Sequence, residues 1–346
     1  MTTPSNPPPT SKQASYFQVI SFLIAGLLLY FALRNANWTE IWEAIRHANY
    51  WYLLPLIGIT LLSHYLRAWR WQILLQALPD AQQNKVSRID AFGALMIGYM
   101  INYIAPRLGE VARSIILSTR EHIPLSEVIG TVVIERLLDI ATLLIAICSI
   151  GLLFREELIT LYHLFLTPAL KQISSPGIYL PFLLAVILLF FLILLVVRRA
   201  NRSATSPLAQ ILTQFKEGLL TLFHTPNKTG VVLTTLSMWG CYLLMAYLPF
   251  VMFGYHKMYH LSLLDAWGIM ILGSIGVVIP SPGGTGSYHF ITIQTLTRLF
   301  NMPLAPATTY AVITHAAQMV LYTIVGIIFF ITMGLNWKTL RHALRQ

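Results

Sequence analysis

The segment Pro106-Arg107-Leu108-Gly109-Glu110-Val111-Ala112-Arg113 sets two helix breakers beside three charges in an otherwise apolar stretch of chain. Proline and glycine stop one helix, and Arg107, Glu110 and Arg113, at i, i+3 spacing, then project from one side of the next. Ionisable groups at membrane depth cost several kcal/mol unless paired or wet, so by default they mark a site or pathway. The competing reading is a juxtamembrane loop whose arginines meet lipid phosphates. Further on, Glu135, Arg136 and Asp139 again lie inside apolar sequence. Arg136 and Asp139 can pair along one helix, leaving Glu135 to face Arg107 or Arg113; a purely structural ion pair is the alternative. A third segment, Pro280-Ser281-Pro282-Gly283-Gly284-Thr285-Gly286-Ser287, combines prolines that fix the approach with glycines that free the backbone. The N–H groups around Gly283, Gly284, Gly286 and Ser287 are expected to curl around an anion at a helix N-terminus, and a phosphate fits there; a flexible external loop is the alternative. His289 follows as a proton-linked group or headgroup donor, whereas His315 reads as a helix-packing contact and His64 as an interfacial residue.

Other chemistries lack their signatures. No P-loop lysine follows the glycines, and H-E-x-x-H, G-x-S-x-G and clusters with metal-ligand spacing are missing from the sequence. No cofactor and no metal are therefore expected, and the chain is read as a non-enzyme. An intramembrane transferase using Glu110 or Asp139 as a base would still leave no local signature.

The elements that must position these groups are membrane helices. Of 346 residues 56% are apolar and 10% charged, and the mean hydropathy is +0.66; a soluble domain carries about 25% charged residues. Runs such as Phe17 to Leu33 and Ile178 to Val197 suit a hydrocarbon layer of about 30 Å. The formal charge of +10 sits in short clusters beside helix ends, which argues for membrane orientation and anionic headgroups and against nucleic acid. Cys148 and Cys241 fall inside apolar runs and read as packing residues. Residues 1–15 are Pro-, Ser- and Thr-rich with no small-residue cleavage site after the first apolar run, so that run is expected to be a retained helix.

Along the chain, a first helix near Tyr16 to Leu33 is followed by a short interfacial helix from Asn37 to Ala48, then by a span from Tyr50 into Leu66. Arg67-Ala68-Trp69-Arg70-Trp71 reads as a membrane-surface marker. Ala91 to Ile104 supplies only about 14 apolar residues, roughly 21 Å of helix, which is too short to cross comfortably. A long run from Val128 to Phe154, the span Ile178 to Val197 ending in Arg198 to Arg202, an amphipathic stretch Pro207 to Leu222 and a span Gly230 to Phe253 come next. Leu261 to Ile279 then meets the glycine segment, and a short helix near Tyr288 to Phe300 precedes a last span from Ala305 to Leu335.

The positive-inside rule places the clusters Arg67 to Arg88, Arg198 to Arg202 and Lys338 to Arg345 on one side only if both broken segments turn back. The expected fold is therefore all-α: a polytopic transmembrane bundle with two re-entrant broken-helix hairpins arranged as an inverted repeat. Its parts are a disordered cytoplasmic N-terminus (1–15), repeat 1 (16–154), an extracytoplasmic connector (155–177), repeat 2 (178–335) and a basic cytoplasmic tail (336–346). The two hairpin tips are expected to meet around a polar cavity.

Two patterns in this sequence resemble a known family, the flippase-like membrane domain of the lysylphosphatidylglycerol synthases. One is Pro-Arg-x-Gly-Glu-x-x-Arg at 106–113 followed by Glu135-Arg136-Leu137-Leu138-Asp139; the other is Pro-Ser-Pro-Gly-Gly-Thr-Gly at 280–286. The family commonly continues its glycine loop with a small apolar residue and Arg-Glu, where this chain has Ser287-Tyr288-His289. The chain ends soon after its last span, so the soluble aminoacyl-transfer domain and lysyl transfer are not expected. The resemblance implies an integral protein of a bacterial cytoplasmic membrane, with both termini cytoplasmic, that moves a phospholipid or polyprenyl-phosphate-linked lipid between leaflets. Arg107, Arg113 and Arg136 would hold the phosphate, with Glu110, Glu135 and Asp139 balancing them in the empty site. Membrane phospholipids or lipid-linked phosphates are the expected partners, and self-association is left open. An intramembrane headgroup enzyme and a scaffold of envelope assembly are the competing functions.

Overall fold

The computed structural model describes residues 11–78, 86–154, 221–279 and 281–336. The expected connector at 155–177, the span at 178–197, the cluster at 198–202, the amphipathic stretch up to residue 220 and the tail from residue 337 lie outside the described residues, as do residues 1–10 and Pro280. Every regular element among the described residues is helical.

Several helices begin where the sequence supplies caps. After α1 (Ser11–Leu33), Asn37 caps α2 (Trp38–Arg46), which lies at 85° to the apolar part of α1. Two long helices follow on either side of a broken segment: α3 (Leu53–Leu75), then α4 (Arg88–Ile104) capped by Ser87, α5 (Leu108–Glu121) and α6 (Leu125–Leu153). Beyond residue 220 the order is α7 (Lys228–Met252), the short α8 (Tyr255–Met258), α9 (Leu263–Val278), α10 (Ser287–Arg298) and α11 (Leu304–Thr332). Ser262 and Asp265 form a capping box at the start of α9, with the Ser262 N–H donating to Asp265 Oδ2 at 2.6 Å. Among the described residues α7 and α11 are each long and apolar enough to cross a membrane, and α1 with α2 adds a third candidate if the bent pair counts as one span. Helices α3 and α6 are comparable in length, 23 and 29 residues, but carry Arg67, Arg70, Glu135, Arg136 and Asp139 within them.

Both broken segments fold back on themselves. In the first, the Ser87 N–H donates to Glu121 Oε1 at 3.0 Å, Arg120 Nε donates to Asp90 Oδ1 at 2.7 Å, and Gly109 lies against Gly98. Such pairs converge on a turn at Ala105-Pro106-Arg107, so α4 and α5 form an antiparallel hairpin. Proline ends α4 by barring helical backbone before it. Glycine at 98 and 109 lets the two backbones touch, since a Cβ on Gly98 would sit 2.8 Å from the Gly109 carbonyl oxygen. In the second, Gly273 and Gly276 of α9 lie against Tyr288 and Ser287 of α10, around a turn at 281–286.

The hairpins open toward opposite ends of the bundle. Helix α11 gives the direction: Ala307, Tyr310 and Ala311 near its start join a core with Leu261, Ile269, Leu296 and Met302, at the open end of α9 and α10. Met333, just beyond its end, joins a core with Val86, Ile116, Ile123 and Val128, at the open end of α4 and α5. Between these cores the turns meet: Gly283, at φ 56°, lies against the ring of Tyr103, and a side chain at 283 would have to displace that ring.

Candidate functional site

Ion pairs join side chains of three helices into one cluster. Glu135, fully buried on α6, accepts from Arg67 Nε at 2.7 Å with Oε1 and from Arg113 Nη2 at 3.0 Å with Oε2. Asp139, one turn on, accepts from Arg67 and, at 2.5 Å, from Arg70 Nη2. Arg136 turns to the outer edge, donating to Glu110 Oε1 at 2.8 Å with Asp139 3.7 Å away. These pairs join four guanidiniums and three carboxylates, leaving one positive charge in excess. Arginine stays protonated at any accessible pH, so the excess cannot be relieved by losing a proton.

Some arginine donors are still unused. Arg70 Nε and Arg113 Nε and Nη1 are buried and find no hydrogen-bond partner among the described residues. Arg113 Cζ lies over the ring of Trp71, 4.5 Å from its centroid, and Trp71 is itself held by an Nε1–H bond to Thr131 at 2.9 Å. A rigid, desolvated guanidinium with spare N–H groups is suited to an oxyanion.

Beside the cluster lies a cavity of about 370 Å³ bounded by α3, α6, α7, α9, α10 and α11. Arg67 and Asp139 form part of its wall, and Trp239, Tyr242, Tyr288 and Tyr322 form much of the rest. A separate groove of about 570 Å³ runs between α1 and α10, with Arg34 and Arg298 beside Leu28, Phe31 and Phe290.

The sequence-selected residues are distributed unequally over this geometry. Glu110, Arg113, Glu135, Arg136 and Asp139 come together in the cluster, with Glu135 facing Arg113 and the Arg136–Asp139 contact secondary to Arg136–Glu110. Arg107 stands exposed on the turn with left-handed backbone, φ 65°, outside the ion pairs above. The glycine turn differs from the expected open cradle. Gly284 and Thr285 N–H bond to Ser281 and Pro282 carbonyls, and the Gly286 N–H donates to His289 Nδ1 at 3.3 Å. Ser287 is fully buried, its hydroxyl 2.8 Å from that of Ser281. Two amides expected to face an anion, those of Gly284 and Gly286, are thus engaged within the turn and its following helix, together with that of Thr285.

Sequence reasoning missed Arg67 and Arg70. Arginine beside tryptophan at the end of an apolar run reads as a membrane surface, yet Arg70 and Trp71 are fully buried and Arg67 is 7% exposed. The carboxylates on α6 draw both arginines inward. A signal was present: Thr60, Ser63, His64, Arg67 and Arg70 recur at three- and four-residue spacing and form one buried polar stripe on α3. His64 likewise is not interfacial, lying 4.8 and 4.7 Å from the rings of Tyr99 and Tyr322.

No curated protein and no solved structure matches the chain. A family model does match, over residues 18–326, and it describes the transmembrane region of lysylphosphatidylglycerol synthase. The match takes in both hairpins, the arginine–carboxylate cluster and the cavity, so this helical membrane protein belongs to the lysylphosphatidylglycerol synthase transmembrane-region family.

Proposed function

We propose that the protein moves a phosphate-bearing lipid, a phospholipid or a lipid-linked phosphate, between the two leaflets. The observation that carries this reading is the positive excess of the cluster, which reaches a cavity of aromatic and aliphatic walls through Arg67 and Asp139 and keeps unused Arg70 and Arg113 donors buried behind them. A phosphate would complete the cluster, and aromatic and aliphatic walls would accommodate the upper chain. The groove with Arg34 and Arg298 has the same amphiphilic character and supplies a second resting place at the opposite end of the hairpin pair. The family's name, which ties it to a phospholipid product, agrees in substrate class.

In this reading the hairpins are re-entrant. Arg88, Arg120 and Lys228 lie at the cytoplasmic end, with α4 and α5 entering from there and α9 and α10 from outside. Two hairpins of opposite entry make an inverted repeat, whose halves exchange inward-open and outward-open forms around one site. The bilayer is a bacterial cytoplasmic membrane, with both termini on the cytoplasmic side. The chain carries its lipid unmodified and without a cofactor.

Purified protein in vesicles holding a trace of fluorescent phosphatidylglycerol should make the probe accessible to an impermeant quencher faster than empty vesicles do. Arg113→Gln is expected to slow this at least about tenfold, the loss of one charge-assisted pair at roughly 1.4 kcal/mol or more. Arg107→Asn, at an exposed position and able to keep left-handed backbone, tests the turn. Wild-type rates in both variants would sink the assignment, and a chemically altered lipid recovered from the vesicles would replace it with the enzyme reading.

A further inference from the structure

The glycine turn is held from both sides by imidazoles. His289 of α10 accepts the Gly286 N–H on Nδ1 at 3.3 Å, and His315 of α11 meets the Gly283 carbonyl with Nε2 at 3.0 Å. The ring centroids are 4.7 Å apart, and the residues are 5% and 7% exposed. The partners fix the tautomers. A nitrogen that accepts an amide carries no proton, so neutral His289 bears its hydrogen on Nε2; a nitrogen facing a carbonyl donates, so neutral His315 bears its hydrogen on Nε2 and leaves Nδ1 bare.

We infer that His289 and His315 form a proton site that clamps the glycine turn when both rings are neutral and releases it when His289 takes a proton. The added proton has one place to go on His289, Nδ1, where it meets the Gly286 N–H and abolishes that bond. On His315 it goes to Nδ1 and leaves the Gly283 bond intact. Two cationic rings 4.7 Å apart repel, so the pair holds one proton at a time. Facing the pair are Tyr288 from α10, stacked on His315 at 5.7 Å, and Tyr103 from α4, edge-on at 6.2 Å. Helix α1 contributes backbone at Ala25 and Leu29. Among the described residues no carboxylate or guanidinium bonds either ring, so the proton's charge is balanced only by motion or by an incoming anion.

The turn is a place where release has consequences. Gly286 sits at φ 84° against the backbone of Ala25 and Leu29, and Gly283 against Tyr103, so the clamp holds α1, α4 and the second hairpin together. Tyr288, between the turn and the cavity, bonds the Thr314 hydroxyl at 3.1 Å, and both line the cavity. Taking up a proton thereby loosens one cavity wall. Resting on the transport reading, this assigns the proton as the coupling ion.

Two measurements separate the proton site from that reading. Hydrogen exchange over residues 281–290 of the detergent-solubilised full chain, corrected for intrinsic rates, should be faster at pH 5.5 than at pH 7.5. In His289→Asn, whose Oδ1 retains an acceptor for Gly286, that difference should vanish; His315→Gln, which retains a donor to Gly283, should also keep the turn folded. Probe movement in vesicles should change about fivefold across the same interval in wild type and stay within about twofold in His289→Asn. Exchange that is pH-independent in wild type, or unchanged in pH response by His289→Asn, overturns the proton site. If no lipid moves at any pH while exchange behaves as stated, the site stands and the transport reading fails.

Discussion

Glu135→Gln should lower the stability of the bundle by about 3–5 kcal/mol, because it strips buried arginines of their shared counter-charge. The glutamate's oxygens serve Arg67 at 2.7 Å and Arg113 at 3.0 Å, and Arg70 lies 3.8 Å away, all four side chains being buried. Glutamine offers one acceptor and turns an N–H₂ toward an arginine donor. The excess of one positive charge becomes two. Glu110→Gln makes a sharp contrast: its pair with Arg136 is 30% and 39% exposed, so the loss should be under about 1 kcal/mol. Thermal melting in detergent reads both. Removing the opposing charge as well, in Glu135→Gln with Arg113→Gln, should recover part of the loss, since the penalty lies in the uncompensated charge. Melting of Glu135→Gln within a degree or so of wild type would mean that the cluster is wet and weakly coupled.

Gly109→Val should be nearly as damaging for a steric reason. A Cβ at 109 would press into the Gly98 carbonyl oxygen and lie 2.7 Å from Asn102 Cγ, and valine adds two methyls to that collision. Asn102 Oδ1 accepts the Gly109 N–H at 2.8 Å, replacing the side-chain cap that Arg107 does not provide, so prying the helices apart also uncaps α5. Overpacking costs about 1–3 kcal/mol and a lost cap about 1 kcal/mol more. The displacement moves Arg113 away from Glu135, so the cluster loosens with the hairpin. Gly240→Ala is the control: nothing lies within 4 Å of the added Cβ, and alanine favours a helix by about 1 kcal/mol. Equal melting temperatures for Gly109→Val and Gly240→Ala would show that the close approach of α4 and α5 is dispensable.

Most of the helix order was legible because its causes are local. Pro106 and the glycines at 283–286 break helices wherever they stand, and long apolar runs announce spans of bilayer length. The meeting of the hairpins could be anticipated only through charge sidedness, and its actual contact, Tyr103 on Gly283, uses a residue with no distinguishing sequence context. The cluster was half legible. Glu135 and Arg113 lie 22 residues apart on consecutive helices, whereas Arg67 and Glu135 are 68 apart, and whether an arginine near a helix end turns to water or inward depends on what the distant helix offers. The state of the glycine turn was illegible for a similar reason: His289 takes up the Gly286 amide, and His315, which holds the Gly283 carbonyl, comes from another helix.

The arginine–carboxylate cluster also sets the order in which the chain can be built into a membrane. Helix α3 leaves the ribosome with Arg67 and Arg70 inside it, and Glu135 follows 68 residues later. On the transport reading α3 crosses the bilayer, where each unmatched arginine would oppose insertion by about 2.5–3.5 kcal/mol at mid-membrane. Helix α3 therefore gains a stable residence only after α6 arrives, with the α4–α5 hairpin threaded between them. Residues 53–153 then behave as a single insertion unit, and nascent chains halted before Glu135 should leave α3 extractable by alkali, while chains halted beyond α6 should hold it fast.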